Sequence, residues 1–141
     1  MAAASHQHRP YGPHPIATTI LTGSVPLFLG ALLCDWAYWR TEQVQWINFA
    51  AWLNAGAMVI AAVALVVAII STLVFGSQHL RKWLSIGLLI ATLVFGLLAA
   101  LAHARDGWAT MPDALVLSAI AFVLALAATW AGFSRKSGDR T

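Results

Sequence analysis

Charge is what this sequence has least of. Only 9% of its 141 residues are Asp, Glu, Lys or Arg, against about 25% in a typical soluble domain. With 60% hydrophobic residues and a mean hydropathy of +0.77, that shortage excludes a soluble globular protein. Cysteine is nearly missing as well. The single Cys34 leaves no disulfide framework and no multi-cysteine metal site, and within its apolar run it reads as an inert packing residue. No low-complexity tract is present, which together with the hydropathy excludes a disordered chain and a nucleic-acid module. The formal net charge of +3 is carried by eight Lys and Arg residues, few enough to be the flanking charges of a membrane protein. The length fits one compact unit.

Uncharged runs cover residues 16–34, 43–78, 83–102 and 114–134. Each supplies the roughly 20 residues with which a helix crosses about 30 Å of hydrocarbon. The charged breaks at 35–42, 76–82 and 105–113 are too short for consecutive spans to return on the same side. The fold class that follows is an all-α integral membrane protein, a four-transmembrane-helix up-and-down bundle, with spans at 16–38, 48–75, 83–104 and 113–133. Residues 1–15 are expected to form a flexible cytoplasmic arm and residues 134–141 a short basic cytoplasmic tail. A signal peptide is disfavoured because no A-x-A-like stretch follows the first run. Nor does Ala31-Leu32-Leu33-Cys34 offer the small residue that a lipoprotein processing site needs before its cysteine.

Orientation follows from the basic residues, which cytoplasmic loops retain. Arg9, Arg81, Lys82, Arg135, Lys136 and Arg140 fall on one side and only Arg40 and Arg105 on the other. Both termini are therefore expected in the cytoplasm of a multi-pass bacterial inner-membrane protein. Trp36, Trp39, Trp46 and Trp108 fall at the outer helix ends and Trp83 and Trp130 at the inner ends, as an aromatic belt requires. Trp52 sits deeper than a belt position.

Apolar helices gain little by burying themselves from apolar lipid, so their association depends on small residues and polar contacts. Gly23 and Gly30 share a face of the first helix, with Pro26 between them. Ala57, Ala61, Ala64 and Ala68 make a smooth strip on the second, and Gly96, Ala99 and His103 share a face of the third. Pro26 is expected to kink the first helix by leaving a carbonyl without its backbone donor. Asp35, Asn54, His103 and Ser118 come from four different helices at similar depth below the outer surface. An intramembrane carboxylate is costly and seeks a partner inside the bundle. These four, with Arg105 snorkelling beside them, form the candidate site: either a small polar pocket open to the outer surface or a hydrogen-bonded clamp that fixes helix register.

No cofactor or metal is expected. His14 and His103 lie on opposite sides of the bilayer core and cannot share a haem iron. His79 sits in a loop beside Arg81 and Lys82, while His6 and His8 belong to the mobile arm. No catalytic constellation of nucleophile, base and orienting group is visible.

The residues at the helix ends form a recognisable set: His14-Pro15, Pro26, Asp35 with Tyr38-Trp39-Arg40-Thr41, the run His103-Ala104-Arg105-Asp106-Gly107-Trp108, and Pro112 with Leu117-Ser118. From residue 14 to 132 the chain resembles the bacterial membrane family known as domain of unknown function twenty-two thirty-one. The resemblance implies a four-helix inner-membrane protein without an established activity, some relatives of which are associated with periplasmic sugar dehydrogenases or cytochromes.

The resulting expectation is a non-enzymatic membrane protein, an accessory or anchor subunit for a membrane or periplasmic protein partner. It contacts the lipid bilayer and no nucleic acid. The alternative is a redox membrane subunit contacting quinone or haem on behalf of a periplasmic dehydrogenase. A homo-oligomer stays open, since a pore built from this chain would need several copies.

Overall fold

The structure is a computed structural model and describes residues 16–75, 80–105 and 107–133. The expected terminal arm and tail, together with His6, His8, His14 and His79, lie outside the described residues. The chain forms helices α1 (Ile16–Thr41), α2 (Val44–Phe75), α3 (Leu80–His103), a single turn α4 (Gly107–Thr110), and α5 (Asp113–Phe133). The four long helices are each long and apolar enough to span a membrane. They alternate in direction as an up-and-down bundle. Helix suits such a chain because it satisfies every backbone group within the segment, as a lipid environment demands.

At 1.5 Å per residue the 32-residue α2 is about 48 Å long, well beyond a hydrocarbon core of about 30 Å, whereas the 21 residues of α5 match it. The extra length of α2 lies partly at its start, which is Val44 rather than residue 48. A tight connection explains this. Glu42 adopts a left-handed backbone (φ 55°), and its N–H donates to the Tyr38 carbonyl at 2.7 Å, closing α1 as a left-handed C-terminal cap does. The Trp46 N–H then donates to Gln43 O at 3.0 Å, so α2 begins almost at once. Arg40 in the last turn of α1 and Asp113 in the first turn of α5 each complement the helix dipole.

In cross-section the long helices close a ring in the order α1, α2, α3, α5, with the most extensive packing between α1 and α2 and between α3 and α5. Small residues bring the helices together. Ala57, Ala61 and Ala64 on α2 are fully buried, as are Ala121, Ala125 and Ala128 on α5, and they join Leu21, Phe28 and Leu89 in one core. The two alanine sets have the same spacing, four and then three residues, which keeps each on one helix face. Ala68, the last of the expected α2 strip, is only partly buried.

Phe28 is the largest fully buried side chain. A Cβ added to Gly96 would lie 3.5 Å from its ring and 3.1 Å from Met58 Cγ, so the missing side chain on α3 makes room for residues of α1 and α2. α1 continues as helix through Pro26, which is exposed on its surface. The outside of the bundle is apolar: Leu33, Trp36, Trp39, Trp52, Val59, Leu73, Trp83, Val123 and Trp130 are all exposed.

Candidate functional site

The inward face of α1 is set by Phe28, Ala31, Asp35 and Tyr38, all buried and separated by three- and four-residue steps. Asp35 thereby points into the bundle about 9 Å below the end of α1, counting six residues to Thr41. That is nearly two turns, deeper than the sequence placed it, because α1 runs on to Thr41. His103 is the last residue of α3, following Gly96 and Ala99 on the buried face. Ser118 belongs to the buried face of α5 with Ala114, Ala121 and Ala125.

The three side chains meet. Asp35 Oδ1 lies 2.7 Å from His103 Nε2, and Ser118 Oγ donates to Asp35 Oδ2 at 2.5 Å. The Asp35 and His103 side chains are 0% and 1% exposed, so the contact is sealed from solvent. Because α1 and α3 are diagonal in the ring, the Asp35–His103 bond crosses the bundle, and Ser118 ties it to α5. A buried net charge is expensive. Asp35 meets that cost with a partner at each carboxyl oxygen, His103 Nε2 at Oδ1 and the Ser118 hydroxyl at Oδ2. His103 Nδ1 is buried and has no hydrogen-bond partner among the described residues.

The structure does not bring Asn54 and Arg105 into this cluster. The Asn54 Nδ2 donates to the Gly96 carbonyl at 2.9 Å. Gly96 lies two turns before His103 on α3, so Asn54 meets the same helix at a greater depth. Its Oδ1 is buried without a hydrogen-bond partner among the described residues. Arg105 instead pairs with Asp113 at 3.1 Å, with both side chains more than half exposed. Being beyond the end of α3, it finds a carboxylate in water near the start of α5 and has no reason to enter the bundle. Among the described residues no three of His, Cys, Asp and Glu gather closely enough to hold a metal ion.

Sequence reasoning missed a second polar feature, at the other end of the bundle. Lys82, taken as a loop charge, lies in the first turn of α3 and is buried, beside a cavity bounded by α1, α2 and α3. The signal was available in the spacing of Lys82, Ser85, Ile86 and Leu89, one helix face at three- and four-residue steps.

Comparison with known proteins adds no assignment: no protein-family model, curated protein or solved structure matches the chain.

Proposed function

We propose that this chain is a non-enzymatic accessory or anchor subunit of a bacterial inner membrane, with both termini in the cytoplasm and a membrane or periplasmic protein as partner. One observation carries the reading: the acid–base cluster joins three helices and is closed to solvent. Its order also argues for a clamp. In nucleophilic triads the imidazole stands between the hydroxyl and the carboxylate, so that it can take the hydroxyl proton. Here the carboxyl group of Asp35 stands in the middle, accepting the Ser118 hydrogen bond on one oxygen and facing His103 with the other, so the imidazole does not stand against the hydroxyl. The redox alternative is less well supported, since His103 Nε2, a ring nitrogen that a haem iron could use, is engaged by Asp35 at 2.7 Å. The resemblance of the helix-end motifs to an inner-membrane family, and the six-to-two count of basic residues, support the location and orientation.

The test has two parts. Alkaline phosphatase fused after Arg140 is expected to be inactive, and the same enzyme inserted near Gln43 active; the reverse overturns the orientation. The full chain, extracted from native membranes in mild detergent, is expected to migrate with a stoichiometric second polypeptide. Migration alone, with a reduced-minus-oxidised haem band that His103→Ala removes, overturns the accessory reading in favour of the redox one.

A further inference from the structure

The cavity at the Lys82 end has a volume of about 40 Å³ and is lined by Thr18 of α1, Ser71 and Thr72 of α2, and Lys82 and Ser85 of α3 among apolar neighbours. About 10–15 Å³ of such space accommodates one water-sized group, so about three oxygen-sized groups fit. Lys82 is only 8% exposed. Burying an ammonium within a span is costly, and the position of this one compounds the cost. It occupies the first turn of α3, where the unpaired N–H groups of the helix already create a positive field. Lys82 thus lines the cavity from a turn whose own field is positive.

Among the described residues the carboxylates are Asp35, Glu42 and Asp113, all at the opposite end of the bundle. In the sequence, the segments that flank the Lys82 end hold six Lys and Arg against one acid, Asp139, while those flanking the other end hold two against four. Lys82 engages a neighbour within the chain, but an ammonium has three N–H donors and can serve a second acceptor.

The hydroxyls are adaptable. Ser71 and Thr72 both donate to the Ala68 carbonyl, at 2.9 and 2.8 Å, and Ser85 donates to Ala128 O at a long 3.3 Å. Such bonds to a helix's own or a neighbouring carbonyl can be exchanged for a stronger acceptor by rotating the hydroxyl. A cation would meet the Lys82 charge; an anion would meet it with several donors in reach.

We propose that this cavity is a binding site for a phosphate group, held by the Lys82 ammonium and the Ser85, Ser71 and Thr72 hydroxyls. The room for about three oxygen-sized groups matches the face that a phosphate presents. Basic pockets between membrane helices on the cytoplasmic side are suited to anionic lipid headgroups, and free inorganic phosphate offers the same chemistry.

Native mass spectrometry of the full chain in mild detergent tests the proposal, with phosphatidylglycerol and phosphatidylcholine of identical acyl chains as probes. One phosphatidylglycerol is expected to be retained about tenfold more tightly than phosphatidylcholine. Lys82→Met is expected to abolish that preference and Lys82→Arg to keep it, while Arg105→Met, at the other end, leaves it unchanged. Displacement of the lipid by millimolar inorganic phosphate assigns the site to the free ion, and retention of the lipid in its presence assigns it to the headgroup. Equal retention of the two lipids in a chain that also binds no inorganic phosphate overturns the proposal, as does a Lys82→Met chain that binds like the wild type. Should Lys82→Met fail to fold, the wild type decides alone: phosphatidylglycerol or inorganic phosphate must raise its unfolding temperature above that in phosphatidylcholine, and no rise from either overturns the site.

Discussion

At one end of the bundle Asp35 lies sealed, each of its oxygens engaged, by His103 and by Ser118; at the other, Lys82 is buried beside about 40 Å³ of space lined with hydroxyls. Both residues carry a charge that apolar surroundings penalise. Each has a partner within the chain, but the first site is closed and the second keeps room for a further group. A saturated buried charge acts as a fastener, because its partners must be in place before it is tolerable. A buried charge beside space is a binding element. The contrast teaches that burial by itself does not mark a functional residue, and that the space left around it is the more telling quantity.

The largest expected effect tests the fastener. His103→Ala leaves Asp35 buried with Ser118 alone and opens a void where the imidazole stood. Removing one partner of a buried pair costs about 3–5 kcal/mol in soluble proteins, and we expect about 3 kcal/mol here, because an unfolded chain in detergent also finds partners for the freed carboxyl group. Asp35→Asn nearly keeps the volume and still accepts from Ser118, so its cost is lower. Combined, the two changes should fall short of additivity by about 0.6 kcal/mol or more. Unfolding in detergent, followed by circular dichroism for the wild type, both single variants and the double, gives all three quantities. Strict additivity would mean that the 2.7 Å contact contributes no coupling and that the sealed end is not held together by its charges.

An intermediate effect is expected at the opposite end, and from shape rather than charge. A Cβ added at Gly132 on α5 would come within 2.7 Å of Thr18 Cγ2 and 3.1 Å of Thr18 Cβ on α1. Thr18 is nearly buried at 6% exposure, and its branched side chain has little rotamer freedom in a helix. The two helices must therefore separate. Gly132→Ala is expected to cost about 2 kcal/mol, within the range for overpacked cores. Gly96→Ala, which meets the flexible Met58 side chain at 3.1 Å, should cost less. If thermal unfolding ranks them the other way, helix contact at the Lys82 end is looser than the packing of Thr18 on Gly132 implies.

The bundle itself was legible because composition and the bilayer leave few options: four uncharged runs separated by short breaks admit one architecture. Asp35, His103 and Ser118 were legible as residues of similar depth on different helices. Depth is read along the sequence, but direction around the axis is not. Asn54 passed the depth test only for a helix starting at residue 48; α2 starts at Val44, which sets Asn54 deeper, at the Gly96 carbonyl, a backbone acceptor that no pattern of side chains reveals. Arg105 failed for a different reason. Sequence spacing put it near the cluster, while the end of α3 at His103 and the carboxylate of Asp113 put it in solvent. Lys82 was lost to a boundary: with α3 starting at Leu80, a supposed loop charge becomes a first-turn residue facing inward.

The smallest expected effect concerns that same Arg105, and it sharpens the comparison within a single end of the molecule. Arg105 Nη1 and Asp113 Oδ2 are 3.1 Å apart, only slightly farther than the Asp35–His103 pair, but their side chains are 56% and 58% exposed. Water and salt screen an ion pair of this kind, and holding two long side chains in one geometry costs entropy, so such pairs contribute about 0–1 kcal/mol. Arg105→Ala should therefore lower stability by less than about 0.5 kcal/mol, several-fold below His103→Ala two residues away. Both variants can be unfolded in the same detergent at low and at high salt. The wild-type advantage over Arg105→Ala should shrink further with salt, whereas the advantage over His103→Ala should hold, because ions reach the first pair and not the second. A loss above about 1 kcal/mol for Arg105→Ala, or equal salt sensitivity of the two, would show that the outer end is held by its exposed charges, and the sealed cluster would lose its place as the fastener of α1, α3 and α5.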